Sequence, residues 1–193
     1  ELISTRFARL HRRPSLFGVV TDFAAHSLWY CRHVDAYYVA TEEARRQLAR
    51  KGHPIERTLR TGIPLLPPFA QTVSSRVARS RLGLRPDLPA ILILNGGLGI
   101  GPALGILRAW TAHPPPAQLL IVTGQNPRME KKLRAAAPSR LPIVIRGFVD
   151  NVHDWMDAAD LIVSKPGGLT MAEALAKGRP VMIMNPIPGQ EQR

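Results

Sequence analysis

The chain has 193 residues, 45% of them hydrophobic and 6% aromatic, with 26 Lys and Arg against 14 Asp and Glu for a formal net charge of +12. No continuous apolar run approaches the ~18 residues of a bilayer-crossing helix, and a single cysteine, Cys31, excludes an internal disulfide framework. Only five of the cations are lysines, so arginine carries a surplus that favours an anionic partner: nucleic acid, a phosphorylated ligand or an acidic membrane surface.

The first residues, Glu1-Leu2-Ile3-Ser4-Thr5, show no initiator Met and no basic stretch leading into an apolar signal segment. Arg6, Arg9, Arg12 and Arg13 recur at helix-like spacing before Pro14, one basic face beside Leu2, Ile3, Phe7 and Leu10. A β-rich run over 16–21 ends at Asp22, and a second covers 34–40. Thr41 then caps a helix with Glu42 and Glu43 in its first turn and Arg50-Lys51 in its last, ended by Gly52. A third short strand over 58–61 is broken by Gly62-Ile63-Pro64.

The texture then changes. Pro64, Pro67 and Pro68 bracket a stretch without periodicity, and 71–75 is polar. This predicts a first domain over 1–69, an interdomain linker over 70–89 with a short helix over 76–82, and a second domain over 90–193. From residue 90 strands and helices alternate cleanly: strands over 90–95, 119–123, 143–146, 161–164 and 181–184, helices over 101–112, 127–137, 152–159 and 169–177. Near-continuous apolar strands between helices predict an α/β fold, a parallel sheet covered on both faces. The second half reads as Rossmann-like and the first as the end of another α/β unit. The chain starts and stops as a piece of a longer protein would, both units being incomplete.

Four loops carry chemistry. Asn95-Gly96-Gly97-Leu98-Gly99-Ile100-Gly101 lies between a strand and a helix, where an open α/β sheet places a phosphate or sugar against bare backbone N–H groups. No carboxylate stands at the end of the next strand, where the run is Thr123-Gly124-Gln125-Asn126, so a nicotinamide cofactor is disfavoured. Ser164-Lys165-Pro166-Gly167-Gly168-Leu169-Thr170 repeats the strand–glycine–helix pattern. Its helix start suits a diphosphate, Thr170 adds a hydroxyl, and Glu173, one turn on, suits ribose hydroxyls. Asn185-Pro186-Ile187-Pro188-Gly189-Gln190-Glu191-Gln192 offers paired donors and acceptors for a hexose, and Arg146-Gly147-Phe148-Val149-Asp150-Asn151 a backbone edge and an aromatic for a base.

These blocks resemble the GT-B glycosyltransferases related to the peptidoglycan N-acetylglucosaminyl transferase, most of all the monogalactosyldiacylglycerol synthases and processive diacylglycerol glucosyltransferases. The resemblance also takes in Val20-Thr21-Asp22-Phe23 with His26 and Trp29, Val34-Asp35-Ala36-Tyr37-Tyr38-Val39-Ala40, and Thr61-Gly62-Ile63-Pro64, in order along nearly the whole chain. One departure is Leu98, where the family's first glycine loop carries an acidic residue.

The resemblance implies two Rossmann-like domains facing a cleft and inverting transfer of a hexose, galactose or glucose, from a UDP-sugar to diacylglycerol. It places uracil at Gly147, Phe148 and Val149, the diphosphate at Gly168, Leu169 and Thr170 beside Lys165 and Gly167, ribose at Glu173, and the sugar at Gln190 and Glu191, with Gly97 on the donor side. His26, Trp29 and Gly99 fall on the acceptor side. Inversion needs a base for the acceptor hydroxyl. Asp22 and His26 are the candidates within this chain, although the family keeps its catalytic histidine in a segment upstream of Glu1, so this chain by itself is expected to bind donor without turnover. No cofactor or metal is expected, the UDP-sugar being the donor substrate. The expected partners are diacylglycerol and an anionic membrane surface, on the inner face of which the protein would sit peripherally from the cytoplasm. Three other readings compete. One is N-acetylglucosamine transfer to a lipid-linked acceptor, and another a non-catalytic nucleotide-sugar-binding remnant. The third, a nucleic-acid-binding module, is disfavoured because the cations are scattered and no recognition motif accompanies them.

Overall fold

The computed structural model describes residues 14–95 and 103–184. The chain forms two compact units that divide between Pro64 and Leu65. Among the described residues no helix is long and apolar enough to cross a membrane.

The first unit is a parallel sheet of β1 (Phe17–Val19), β2 (Ala36–Val39) and β3 (Thr58–Arg60), in that order. Helix α1 (Glu42–Arg50) follows β2. Thr41 caps it as its sequence predicts: the Thr41 hydroxyl accepts from Ala44 N at 3.0 Å, and Gly52 stops the helix with φ +95°. Val20, Ala25, Tyr37 and Val39 pack with Ala44 and Leu48 of α1 to form the core. Gly18 lies under the Tyr37 ring, where an added Cβ would come within 2.5 Å of two ring carbons.

The second unit is a five-stranded parallel sheet. Its strands are β4 (Ala90–Leu94), β5 (Gln118–Val122), β6 (Ile143–Arg146), β7 (Leu161–Ser164) and β8 (Val181–Ile183), in the order β6-β5-β4-β7-β8. One face packs Ile93, Leu119, Ile121 and Val163 against Ala103 and Leu107 of α3 (Ala103–Ala112) and Leu133 of α4 (Pro127–Ala136). The other packs Leu92, Leu94, Leu120 and Ile162 against α2 (Ser75–Arg81), α5 (Val152–Ala158) and α6 (Gly168–Ala176). Alternate residues of each strand serve opposite faces, the pattern of a sheet covered on both sides.

The strands and helices keep the predicted order, with ends trimmed or shifted by a residue or two, and the expected helix start at 101 lies outside the described residues. The segment over 70–89 differs from its reading as a linker, for it belongs to the second unit. Phe69, Ala78 and Leu84 are buried in the same cluster as Leu92 and Met156. Arg79, nearly buried, donates from Nε to the Ala158 carbonyl at 2.9 Å and pairs with Asp160, whose Oδ2 also accepts from Ala90 N at 2.7 Å. Lys177 pairs with Asp157 at 2.7 Å, both side chains out of solvent, and also donates to the Gln71 carbonyl. The anchoring residues are too widely spaced to show periodicity, so the polar texture of 71–75 concealed them.

Candidate functional site

In the second sheet β5 and β6 lie to one side of β4, and β7 and β8 to the other. The strand order therefore reverses between β4 and β7. A crevice opens at such a point beyond the carboxyl ends of the strands, and ligands of open α/β sheets bind there. Register pairs Leu94 with Ser164 across this junction, and the Ser164 hydroxyl donates to the Leu94 carbonyl at 3.2 Å. The candidate loops after β4, β6, β7 and β8 all leave from this edge, because the strands are all parallel.

The turn after β7 is the best-defined part. Gly167 is the N-cap of α6 with extended backbone, φ −70° and ψ 131°, and among the described residues no side chain caps the helix. In contrast α1, α2 and α4 are capped by Thr41, Ser74 and Asn126. The first N–H groups of a helix have no intrahelical partners, so those of Gly168, Leu169 and Thr170 point out of the helix start with its positive dipole end. Such a start, on a nine-residue helix, suits an anion. Gly168 is buried, Lys165, Gly167 and Thr170 are half-buried, and Leu169 is exposed.

Glu173 lies on α6 one turn beyond Leu169 and Thr170 and is half-buried. Burial raises its carboxyl above the ordinary carboxylate range. Its carboxylate makes no hydrogen bond or ion pair among the described residues, and in particular it does not cap the helix start. A carboxylate held partly dry without a partner is suited to accept from ligand hydroxyls.

Gly147, Phe148 and Val149 directly follow β6. Phe148 is 67% exposed, available for a flat ring to stack on, whereas Val149 packs against the core. A Cβ at Gly147 would stand 2.5 Å from Glu130 Oε2. Glu130 is fixed there by Arg134, which donates to its Oε1 at 3.0 and 2.7 Å and to the Ile145 carbonyl at 2.6 Å. Sequence reasoning missed Glu130, whose only signal is the i,i+4 pair with Arg134. The expected donor residues Gly97, Gln190 and Glu191, with Gly99 and Leu98, lie outside the described residues, as do Arg6, Arg9, Arg12 and Arg13.

In the first unit Asp22, His26 and Trp29 share the β1–β2 connection. The Trp29 indole N–H donates to Asp22 Oδ2 at 3.0 Å, so the Asp22 carboxylate already holds a side chain in place. His26 is the N-cap of a 3-10 turn, Ser27–Trp29, which sequence reasoning missed. Its Nδ1 accepts from Leu28 N at 3.3 Å. A neutral ring accepting at Nδ1 carries its proton on Nε2 and so presents a donor outward. The missed Tyr37 anchors the same loop: its hydroxyl donates to the Trp29 carbonyl and accepts from Cys31 N, both at 2.8 Å. Burial pushes the Tyr37 hydroxyl up to about 12. Beside His26 a cavity of about 310 Å³ is lined by Gln47, Arg50 and Lys51, and Leu28 projects 84% exposed.

Comparison with known proteins finds relatives of this arrangement. Residues 3–65 match the monogalactosyldiacylglycerol (MGDG) synthase family, and residues 103–193 the glycosyltransferase family 28 C-terminal domain. A processive diacylglycerol β-glucosyltransferase of Staphylococcus carnosus is 30% identical over 174 residues, 90% of this chain and 44% of the relative. The chain thus spans about half the length of the curated relatives it matches. Among solved structures, MurG of Acinetobacter baumannii superposes with a TM-score of 0.59 at 19% identity, over 97% of this chain and 49% of that one. Alr3699/HepE of Anabaena, in complex with UDP and glucose, gives 0.56 at 18% identity, over 88% and 52%. These structural likenesses show the fold, and the sequence matches run in order through both units. The chain thus matches, in order, the monogalactosyldiacylglycerol synthase family and the glycosyltransferase family 28 C-terminal domain, on the fold of the GT-B glycosyltransferases.

Proposed function

We propose that this chain holds the UDP-hexose site of a glycosyltransferase that moves glucose or galactose to diacylglycerol, making a membrane glycolipid. The observation that carries the reading is the start of α6 at the strand reversal, with Glu173 one turn further along, neither the helix start capped nor Glu173 partnered among the described residues. Gly168, Leu169 and Thr170 would hold the diphosphate, Glu173 the ribose, and the Gly147–Val149 loop the uracil beside Phe148. Lys165 and Gly167 would shape the turn, and Gly97, Gln190 and Glu191 would reach the sugar.

When the bond from the anomeric carbon to the diphosphate breaks, negative charge grows on the leaving oxygen. Backbone N–H groups at the start of α6 are already oriented toward that charge and need no reorganisation as it forms. No cofactor is required in this scheme. Asp22 and His26 remain the candidates within this chain for the base that takes the acceptor hydroxyl proton, Asp22 with Oδ2 accepting from Trp29 and Oδ1 left to accept, His26 with Nδ1 accepting from Leu28 N. Both also shape the acceptor loop, where exposed Leu28, Trp29 and Phe23, on a loop whose His26 and Ser27 line a cavity with Arg50 and Lys51, suit an anionic membrane surface holding the lipid. The protein would associate with the membrane peripherally, from the cytoplasmic side.

The activity named for the relatives favours glucose, and the MGDG synthase match favours galactose. Calorimetric titration with UDP-glucose, UDP-galactose, UDP-N-acetylglucosamine and ADP-glucose tests the donor. Selective binding of either of the first two supports the reading, selective binding of the third redirects it to N-acetylglucosamine transfer, and equal binding of ADP-glucose contradicts it. Incorporation of labelled hexose into diacylglycerol in anionic vesicles tests the acceptor.

A further inference from the structure

Asn95 follows the last residue of β4 and is 1% exposed, yet among the described residues neither its Oδ1 nor its Nδ2 has a hydrogen-bond partner. Buried polar side chains are almost always paired, because each has given up water on folding. The backbone of Asn95 is fixed, its N–H donating to the Val122 carbonyl at 3.2 Å. Continuing the β4 register places Thr123 and Lys165 level with it on the neighbouring strands. Thr123 spends its hydroxyl on the Arg146 carbonyl at 3.2 Å. Asn95 therefore brings an unpaired donor and an unpaired acceptor to the β4 side of the strand reversal.

We propose that the Asn95 carboxamide contacts the hexose of the donor, exchanging hydrogen bonds with a sugar hydroxyl. The proposal rests on the reading of this edge as a UDP-hexose site. The choice of ligand group follows from valence. An ionised phosphate could satisfy Nδ2 but has no proton for Oδ1. A base would lie at the end of β6, two strands from β4 and so roughly 10 Å away. A hydroxyl both gives and accepts, so it can satisfy both amide atoms. Asn95 thus adds a sugar contact, built on the first strand of the sheet, to the diphosphate contacts at the start of α6.

The test titrates the chain and its Asn95→Ala and Asn95→Ser variants with UDP, UDP-glucose and UDP-galactose. The expected result is UDP affinity within about twofold of the unsubstituted chain, while affinity for the preferred UDP-hexose falls roughly tenfold. The ratio of UDP-hexose to UDP affinity within one variant does not depend on what fraction of it is folded, so a partly unfolded variant still reports on the sugar contact. Equal weakening of UDP and UDP-hexose would overturn the sugar assignment and move the amide to the diphosphate or to loop packing. No change in either would show that the amide serves packing alone. Failure of the unsubstituted chain to bind UDP at all would instead remove the donor-site reading, and this proposal with it.

Discussion

The indole N–H of Trp29 donates to the Asp22 carboxylate at 3.0 Å, closing a loop of the first unit across seven residues. The bond is exposed, so its net worth is small. Asp22→Ala and Trp29→Phe should each cost about 1 kcal/mol in denaturant unfolding, and the double variant little more than either alone. Full additivity would show that the two side chains do not interact.

Tyr37 fixes the other end of that loop, with its ring over Gly18. Tyr37→Phe removes two part-buried hydrogen bonds and should cost about 1–3 kcal/mol. Gly18→Ala forces a methyl into the Tyr37 ring and should cost a similar amount, roughly 1–3 kcal/mol. Thermal unfolding checks both. An unchanged midpoint for Gly18→Ala would mean that the ring moves aside without penalty.

Lys177 and Asp157 form the most deeply buried ion pair among the described residues, tying α6 to α5 and, through Gln71, to the segment ahead of β4. Lys177→Met leaves the Asp157 charge without its closest partner and should cost about 3–5 kcal/mol. Chemical denaturation measures it. A loss under about 1 kcal/mol would show that Arg179, 4.0 Å from Asp157 Oδ1, takes over the role.

Much of this was legible in the sequence. The apolar strands at 90–94 and 161–164, the Thr41 cap and the glycines before α6 read directly, because periodicity and capping are local properties. What escaped depends on contacts distant in sequence. Arg79 reaches Asp160 and Lys177 reaches Gln71, and no local pattern reports either, so the segment over 70–89 read as a linker. The bond from Trp29 to Asp22 likewise exists only once the loop folds, so it leaves no sign in the sequence. Glu130 was passed over because it serves Gly147 from another element.

Burial raises the Glu173 carboxyl, so between its ordinary unfolded value and its higher native value the folded chain holds a proton that the unfolded chain has released. Glu173 therefore makes stability fall as pH rises through that window. Ligand hydroxyls prefer the ionised carboxylate, so affinity for UDP-glucose should rise as pH climbs through the same window. Glu173→Gln should flatten that rise in a pH series of titrations. A slope unchanged in Glu173→Gln would assign the pH dependence to another group.

The measurement that bears most directly on the central claim is calorimetric titration of UDP into the chain and into Glu173→Ala, with circular dichroism to establish that both are folded. The proposed site predicts that the unsubstituted chain binds UDP and that Glu173→Ala binds it more weakly by about 1.5–3 kcal/mol, the worth of a charged hydrogen bond to ribose. Equal UDP affinity in the two folded proteins, or no binding by either, would contradict a nucleotide site at the start of α6.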